Sequence, residues 1–400
     1  MGLNNYFEDF LSKEPLFSNK KVLSASYTPE TIPHREDLIQ KLAGILAPTL
    51  REEKPSNVFI YGKTGTGKTL TAKHVTNSMQ RIIDKNKIKV KIFYLNCKLK
   101  RVADTEYRLI AEIGRFLGID IAATGLPTDE VYKMFINSLE KEETLLVLIL
   151  DEIDQLVSRA GDQILYNLTR LNSELKNSQI SLVGISNDLM FTNYLDPRVK
   201  SSLSEEELVF PPYNAMQLQS ILKERSKDAF RKGTVEQGVL EKCAAYAARE
   251  HGDARRALEL LRVAGELTER KNETIISINI LDEAEEKIER DRVHDIVTTQ
   301  PKQSQLCLLA VLKTSKALGN QAMFTGDLYE LYKELCFKTK VKPLTQRRIS
   351  DLVAELDMLG IINAKVISKG RYGRTRQISL GVPPSTVPKV ENLLREALSL

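Results

Sequence analysis

Eight residues, GKTGTGKT at positions 62–69, follow directly on the apolar run NVFIY. The spacing GxxxxGK[ST] is met by Gly62, Gly67, Lys68 and Thr69. Glycines so placed let backbone N–H groups close around phosphate oxygens, and a helix starting there adds its positive end. The loop Gly62, Lys63, Thr64, Gly65, Thr66, Gly67, Lys68 and Thr69, continued by Leu70, is therefore a candidate nucleotide cradle. Lys68 is expected to reach the β- and γ-phosphates of ATP, and the Thr69 hydroxyl to ligate Mg²⁺.

A second apolar run, LLVLILDEID, ends in carboxylates. Asp151 is expected to hold the Mg²⁺ hydration shell, and Glu152 to polarise an attacking water; the alternative is two solvated acids capping the next helix. Asp154 reads as a surface or capping acid. Asn187 closes ISLVGISN. It reads either as a group that orients the water or as a turn residue of the kind common after strands. Arg198 in LDPRVKSSL and Arg255 in GDARRAL suit phosphate, because a guanidinium stays charged and bonds bidentately. On position alone each also reads as a solvated charge.

These side chains need a scaffold. NVFIY, KIFYLN (91–96), TLLVLILDE (144–152) and ISLVGISN (180–187) read as buried strands, with a fifth at EELVFPP (206–212) stopped by its prolines. Helical stretches such as DLIQKLAGILAPTL and KTLTAKHVTNSMQRII lie between them, which predicts an α/β parallel sheet with flanking crossover helices. From Asn214 to about Arg290 the pattern is helical throughout, and the periodicity lapses at HDIVTTQPKQ, which reads as a linker. SQLCLLAVLKTS, TGDLYELYKELC and TQRRISDLVAELDMLG then read as three helices, and IINAKVISKGRYGRTRQISL as two strands around a glycine-containing tip. That is the order of a winged helix. The expected division is 1–212, 213–295 and 296–400.

The 400 residues, 42% hydrophobic and 28% charged, are those of a globular chain of two or three domains. The longest clean apolar run, LLVLIL, is far shorter than a membrane helix needs. No basic-then-apolar leader opens the sequence, and Tyr6 stands where a myristoylation signal wants Ser or Thr. Four scattered cysteines and four scattered histidines lack the spacing of a zinc site. A reducing, cytoplasmic compartment without membrane partners is expected.

The net charge of +5 is unevenly placed: residues 301–400 hold 16 Lys and Arg against 8 Asp and Glu, and the rest of the chain 42 against 45. The segment 361–380 carries Lys365, Lys369, Arg371, Arg374 and Arg376, with Tyr372 between glycines and no acid. Such a wing suits phosphates and a narrow minor groove, although a basic hairpin can equally be a solvated surface. Arg347 and Arg348 fall in the first turn of TQRRISDLVAEL, ahead of the apolar set Ile349, Leu352, Val353 and Leu356. The apolar face is expected to pack, leaving the N-terminal end for a major groove, where Gln346 can read a base edge.

Read in order, GKTGTGKT, LILDEID, VGISN, LDPRVKSSL and GDARRAL resemble the motifs of an AAA+ ATPase. With ETIPHRE, SSLSEEELVFPPYNAMQL, HGDARRALELLRVAGE and SKGRYGRTRQISL, the chain resembles the archaeal replication-initiator family over roughly residues 15–395. That family is related to the largest subunit of the eukaryotic origin recognition complex and to the eukaryotic helicase-loading factor. The resemblance implies a P-loop AAA+ base, an all-α lid and a C-terminal winged-helix domain. It implies that Asn187 is a first sensor, that Arg255 (rather than Arg256) is a second sensor reading the γ-phosphate from the lid, and that Arg198 is an arginine finger for a neighbouring subunit's ATP. The isolated protein is then expected to be a slow ATPase that can keep ADP. Pro33 and Arg35 in ETIPHRE are implied as neighbours of the adenine. The long connection between the second and third strands, near 98–128, is implied to be an insertion that touches DNA through Thr124, Gly125 and Leu126, unless it is an ordinary surface loop.

The function so implied is that of an origin-binding ATP/ADP switch on duplex DNA, working with a replicative helicase and other initiator subunits. Two other classes fit parts of the sequence: a clamp-loader-like ATPase, which needs no winged helix, and a DNA-binding regulator with a vestigial nucleotide site.

Overall fold

The computed structural model describes residues 8, 11–25, 27–98, 105–122, 125–203, 205–319, 323–368, 374–381 and 387–400. The chain divides into two compact units, Met1–Leu281 and Asp282–Leu400.

The first unit is built on five parallel strands, β1 (Asn57–Tyr61), β2 (Val90–Asn96), β3 (Leu145–Asp151), β4 (Gln179–Ser186) and β5 (Glu205–Val209). Their order is β2-β3-β4-β1-β5. β3 is buried along its whole length, as a central parallel strand covered on both faces must be. Each of its aliphatic side chains contributes about 1.5–3 kcal/mol on burial. β5 stops at Val209, ahead of Pro211 and Pro212, because proline cannot donate to the ladder.

Helices cover the sheet: α1 (Glu36–Leu46), α2 (Lys68–Asn86), α3 (Glu106–Phe116), α4 (Thr128–Glu142), α5 (Ile153–Ala160), α6 (Gln163–Arg170) and α7 (Pro197–Leu203). α3 and α4 carry the connection near 98–128. Leu109, Ile110, Ile113, Val131, Phe135 and Leu139 share one core with Leu146 and Leu148 of β3, so this segment is anchored on the sheet.

The helical part begins with α8 (Ala215–Ala229), opened by a reciprocal capping box between Asn214 and Gln217. α9 (Val239–Arg249) and α10 (Ala254–Arg270) follow. The chain preceding α1 is fastened here too. Phe17 stacks on Phe230 at 4.8 Å between ring centroids. Ser18 N and Asn19 N donate to Ala229 O at 2.8 and 3.1 Å. The Phe17 ring also lies on Gly265, where a Cβ would come within 2.5 Å of it.

The expected linker at HDIVTTQ is instead helical: α11 runs from Ile278 to Thr299. Val293 and Val297 are buried in the core of the second unit, and that packing carries the helix through a stretch with weak periodicity of its own. The second unit continues with α12 (Lys302–Ala317), α13 (Thr325–Lys338), α14 (Gln346–Met358), β7 (Ile362–Ser368) and β8 (Arg374–Leu380). A two-residue strand, β6 (Met323–Phe324), joins the far edge of β8, and α15 (Val387–Leu398) packs on the core. β7 and β8 pair antiparallel from Ile362↔Leu380 to Ser368↔Arg374. Among the described residues no helix is long and apolar enough to cross a membrane, and all four cysteines are free and buried.

Candidate functional site

The strand register brings the chemistry to one edge. Asn96 pairs with Asp151, Asp151 with Ile185, and Tyr61 with Ser186. The carboxyl ends of four strands are therefore level, with β4 between β3 and β1. The loop after β1, Glu152 after β3 and Asn187 after β4 all emerge from that edge, where open α/β sheets bind ligands.

A cavity of about 450 Å³ lies there. Its walls include Thr64, Gly65, Gly67, Lys68, Thr69 and Leu70 of the loop, and Asp151, Glu152, Asn187, Arg255 and Pro33. The Lys68 ammonium is buried and donates to Gly62 O (2.7 Å), Lys63 O (2.8 Å) and Asn187 Oδ1 (2.8 Å). Burial pushes it down to about 8, against the opposing pull of Asp151, with Arg255 adding to the fall. Thr69 Oγ1 donates to Asp151 Oδ2 at 2.9 Å. Glu152 is the residue before α5 and sits at φ 56°, ψ 46°. That left-handed conformation is uncommon for a non-glycine residue, although Glu52, Lys87 and Glu143 adopt it too at helix ends. The Glu152 carboxylate lies 3.6 Å from Lys98 Nζ.

Gly65 shows how the helical part meets the loop. At φ +73°, it lies so close to Asp253 that a Cβ would fall 1.6 Å from Asp253 Oδ1. Asp253 caps α10 by accepting from Arg255 N and Arg256 N, and Ala254 N donates to Gly65 O at 3.2 Å. Arg255 faces the cavity, whereas Arg256 pairs with Glu250 at 2.9 Å.

Arg35, expected beside the adenine, stands elsewhere, and Arg198 and Asp154 also lie outside the cavity wall. Arg35 is buried, but its nitrogens are spent on carbonyls: Nε donates to Thr66 O (2.9 Å), Nη1 to His34 O (3.1 Å) and Nη2 to Pro211 O (2.6 Å). Its guanidinium stacks 3.8 Å from the Tyr213 ring centroid and is not part of the cavity wall. Arg35 thus ties the loop to the junction between sheet and helical part. Arg198 projects from α7 into solvent, its Nε and Nη2 held by Asp196 at 3.1 and 3.2 Å. Asp154, in the first turn of α5, accepts from Ser186 Oγ at 3.0 Å and ties α5 to β4.

Sequence reading missed several residues of the wall. Tyr94 donates to Asp151 Oδ2 at 2.6 Å, and Lys73 lies over its ring at 4.3 Å. Burial first, and then the bond to Asp151, push the Tyr94 phenol up. Asn96 lies beside them in the wall. The available signal was the polar Asn96 closing an apolar strand. Tyr27 and Arg225, also in the wall, carry no local motif.

In the second unit α14 is capped by Thr345, and Gln346, Arg347 and Arg348 are exposed on its first turn. Arg348 faces Asp351 at 3.5 Å and Glu355 at 3.8 Å, so part of its charge is compensated. Lys369, Arg371 and Tyr372 lie outside the described residues; Arg374 opens β8, and nothing is described of its side chain. In the first unit Gly125 and Leu126 are exposed before α4, Gly125 at φ +110°; Thr124 lies outside the described residues.

A phosphate-loop sheet with a helical lid and a winged helix defines an AAA+ protein of the DNA-processing kind. A family description "AAA domain" matches residues 51–189, "Cdc6 AAA+ ATPase-type lid domain" residues 219–286, and "CDC6, C terminal winged helix domain" residues 295–390. An ORC1-type DNA replication protein of Pyrococcus furiosus is 51% identical over 402 residues, covering 100% of this chain and 94% of its own length. One from Thermococcus onnurineus is 51% identical over 397 residues, covering 98% and 94%. The solved Aeropyrum pernix ORC1 protein in complex with DNA matches with a TM-score of 0.82 at 44% identity, over 96% of this chain and 98% of that one. The chain belongs to the family of ORC1-type DNA replication proteins.

Proposed function

We propose that the protein binds duplex DNA at replication origins and uses ATP and ADP as a conformational switch for recruiting or loading a replicative helicase, together with other initiator subunits on the DNA. The observation that carries the nucleotide half is the buried Lys68 ammonium joined to Asn187, beside the Thr69–Asp151 pair, at the carboxyl edge of the sheet. The DNA half rests on the winged-helix unit with its exposed Arg347 and on the 44% identical relative solved with DNA. Its parts are a base (1–212), a lid that follows it from 213, and a winged helix whose unit takes in the chain from Asp282 onward rather than from 296.

The donor set fits ATP·Mg²⁺. Among the described residues no cluster of three or more acids, histidines or cysteines forms a metal cage. One hydroxyl and one carboxylate are what Mg²⁺ takes from a protein when phosphates and water supply the rest. Thr69 and Asp151 would hold it, and bound Mg²⁺ would neutralise charge on the phosphates. Lys68 supplies a desolvated cation to the phosphates, and Asn187 fixes its position. Glu152, held in a strained turn, accepts a proton from the attacking water. Arg255, on the helix whose cap rests on Gly65, reports the γ-phosphate to the lid. Arg198, outside this cavity, serves the site of a neighbouring subunit, which makes the lone protein a slow ATPase. Gly125, Leu126 and Thr124 approach DNA from the base, and Arg347, Arg348, Lys369, Arg371, Tyr372 and Arg374 from the winged helix.

The Lys68 ammonium yields a test with a definite sign. Its folded value of about 8 lies below the ordinary 10.5. Below both values it is charged in the folded and the unfolded chain. Between them the unfolded chain keeps a proton that the folded chain has lost, so stability rises with pH through that window. Phosphate favours the charged form and reverses the loss. Calorimetry of ADP binding at about pH 9, in buffers of different ionisation enthalpy, is expected to show uptake approaching one proton, with almost none at about pH 7. Uptake that does not change with pH would mean that burial does not hold the Lys68 ammonium below its ordinary value in the free protein.

The DNA half is tested by titrating fluorescent duplex at fixed salt, an origin-derived fragment against a scrambled one, with wild type, Arg371→Ala and Arg347→Ala. Origin preference is expected in wild type and a weaker one in Arg371→Ala. Replacing an arginine that contacts a phosphate lowers the slope of log K against log salt by about 0.9. Uniform affinity for both duplexes would support the clamp-loader-like reading.

A further inference from the structure

The phosphate chemistry uses only part of the cavity wall. The remainder comes from the segment before α1, with Tyr27, Pro29 and Ile32, and from the lid, with Ile221 and Arg225 of α8 and Leu258 of α10. This part mixes apolar side chains, which suit a flat base, with the polar Ser24, Thr28, Thr31, Glu224 and Arg225.

Arg225 supplies the positive charge of this part, with Glu224 beside it in the wall. Its guanidinium carbon lies 4.7 Å from the Tyr27 ring centroid. Its Nη1 is shielded from solvent and has no hydrogen-bond partner. A guanidinium has only donors to offer, so whatever completes it must bring an acceptor. A buried charged donor without one is costly, and such orphans mark sites where a ligand belongs.

The phosphates already have Lys68, the loop amides and Arg255. A purine nucleotide has further acceptors on its ring nitrogens and ribose oxygens. We propose that Arg225 recognises the base–ribose half of the bound nucleotide, Nη1 donating to an acceptor there, while Tyr27 stacks on the guanidinium and closes the N-terminal segment over it. This rests on the nucleotide-binding reading above and deepens it.

The two partners belong to one assembly. The segment carrying Tyr27 is fixed to the lid through Phe17 on Phe230, through the bonds to Ala229 O and through Lys20 to Glu266 at 2.9 Å. Arg225 lies one turn before Ala229 on the same helix. Nucleotide held by Arg225 leaves only when lid and segment lift together, which slows ADP release.

The test is calorimetric titration of the full chain with ADP·Mg²⁺ and, separately, with inorganic tripolyphosphate, which has no base or ribose. Wild type, Arg225→Met, Arg225→Lys and Lys68→Ala are compared. Arg225→Met is expected to weaken ADP about 10- to 100-fold and to leave tripolyphosphate within about twofold. Arg225→Lys is expected to recover only part, because an ammonium lacks the planar fork. The ligand-free thermal midpoint of Arg225→Met should be unchanged or higher, since the orphan donor is gone, whereas a merely structural arginine would lower it. ADP affinity unchanged in Arg225→Met would overturn the assignment, and so would an equal loss for tripolyphosphate. Wild type binding neither ligand would instead sink the nucleotide reading, and this proposal with it.

Discussion

Lys68→Ala is expected to weaken ATP and ADP binding by about 100-fold or more, the equivalent of two charge-assisted hydrogen bonds to phosphate. The reason is location as much as charge. The ammonium is desolvated and already oriented by Gly62 O, Lys63 O and Asn187 Oδ1. Little reorganisation is needed when phosphate arrives, so most of the Coulombic gain appears in the affinity. Titration with a fluorescent ADP derivative measures the loss. An affinity within about threefold of wild type would mean that the loop amides and the helix end carry the phosphates alone. Arg255→Ala offers a graded comparison, because Arg255 is exposed and approaches from the lid.

Glu152→Gln is expected to slow hydrolysis by about 10²- to 10⁴-fold, the range for removing a positioned general base. Nucleotide affinity should stay within about threefold, because the amide keeps the shape and the turn. Single-turnover hydrolysis with protein in excess separates the two effects even when the wild-type rate is low. The left-handed backbone at Glu152 is shared with Glu52, Lys87 and Glu143, so the expectation rests on its place next to Asp151 in the cavity wall. Unchanged hydrolysis would reduce Glu152 to the partner of Lys98 and the start of α5.

Much of the fold was legible in the sequence because its signals are local. NVFIY and LLVLIL are continuous apolar runs bounded by turn residues, and runs of that kind become buried parallel strands wherever they pack. The glycine loop was legible for the same reason: its conformation is encoded by its own glycines. The linker expected at HDIVTTQ was not legible, because Val293 and Val297 are held in a helix by residues far along the chain. Asp154, read as a surface or capping acid, does lie in the first turn of α5, but its bond to Ser186 was not legible, because Ser186 is brought beside it only by the pairing of β3 with β4.

The sequence by itself determined the phosphate loop, the acids after β3, the order of strands and helices and the basic end of the chain. Each depends on residue type and short-range spacing. Only the tertiary structure decided which arginines face the cavity. Arg35 turns to three carbonyls, Arg256 to Glu250 and Arg198 to Asp196, while Arg255 and Arg225 face the cavity. The physical reason is that a guanidinium goes to whichever acceptors or rings surround it, and those belong to distant segments. Arg225 meets Tyr27 across almost two hundred residues, a pairing that no local pattern encodes.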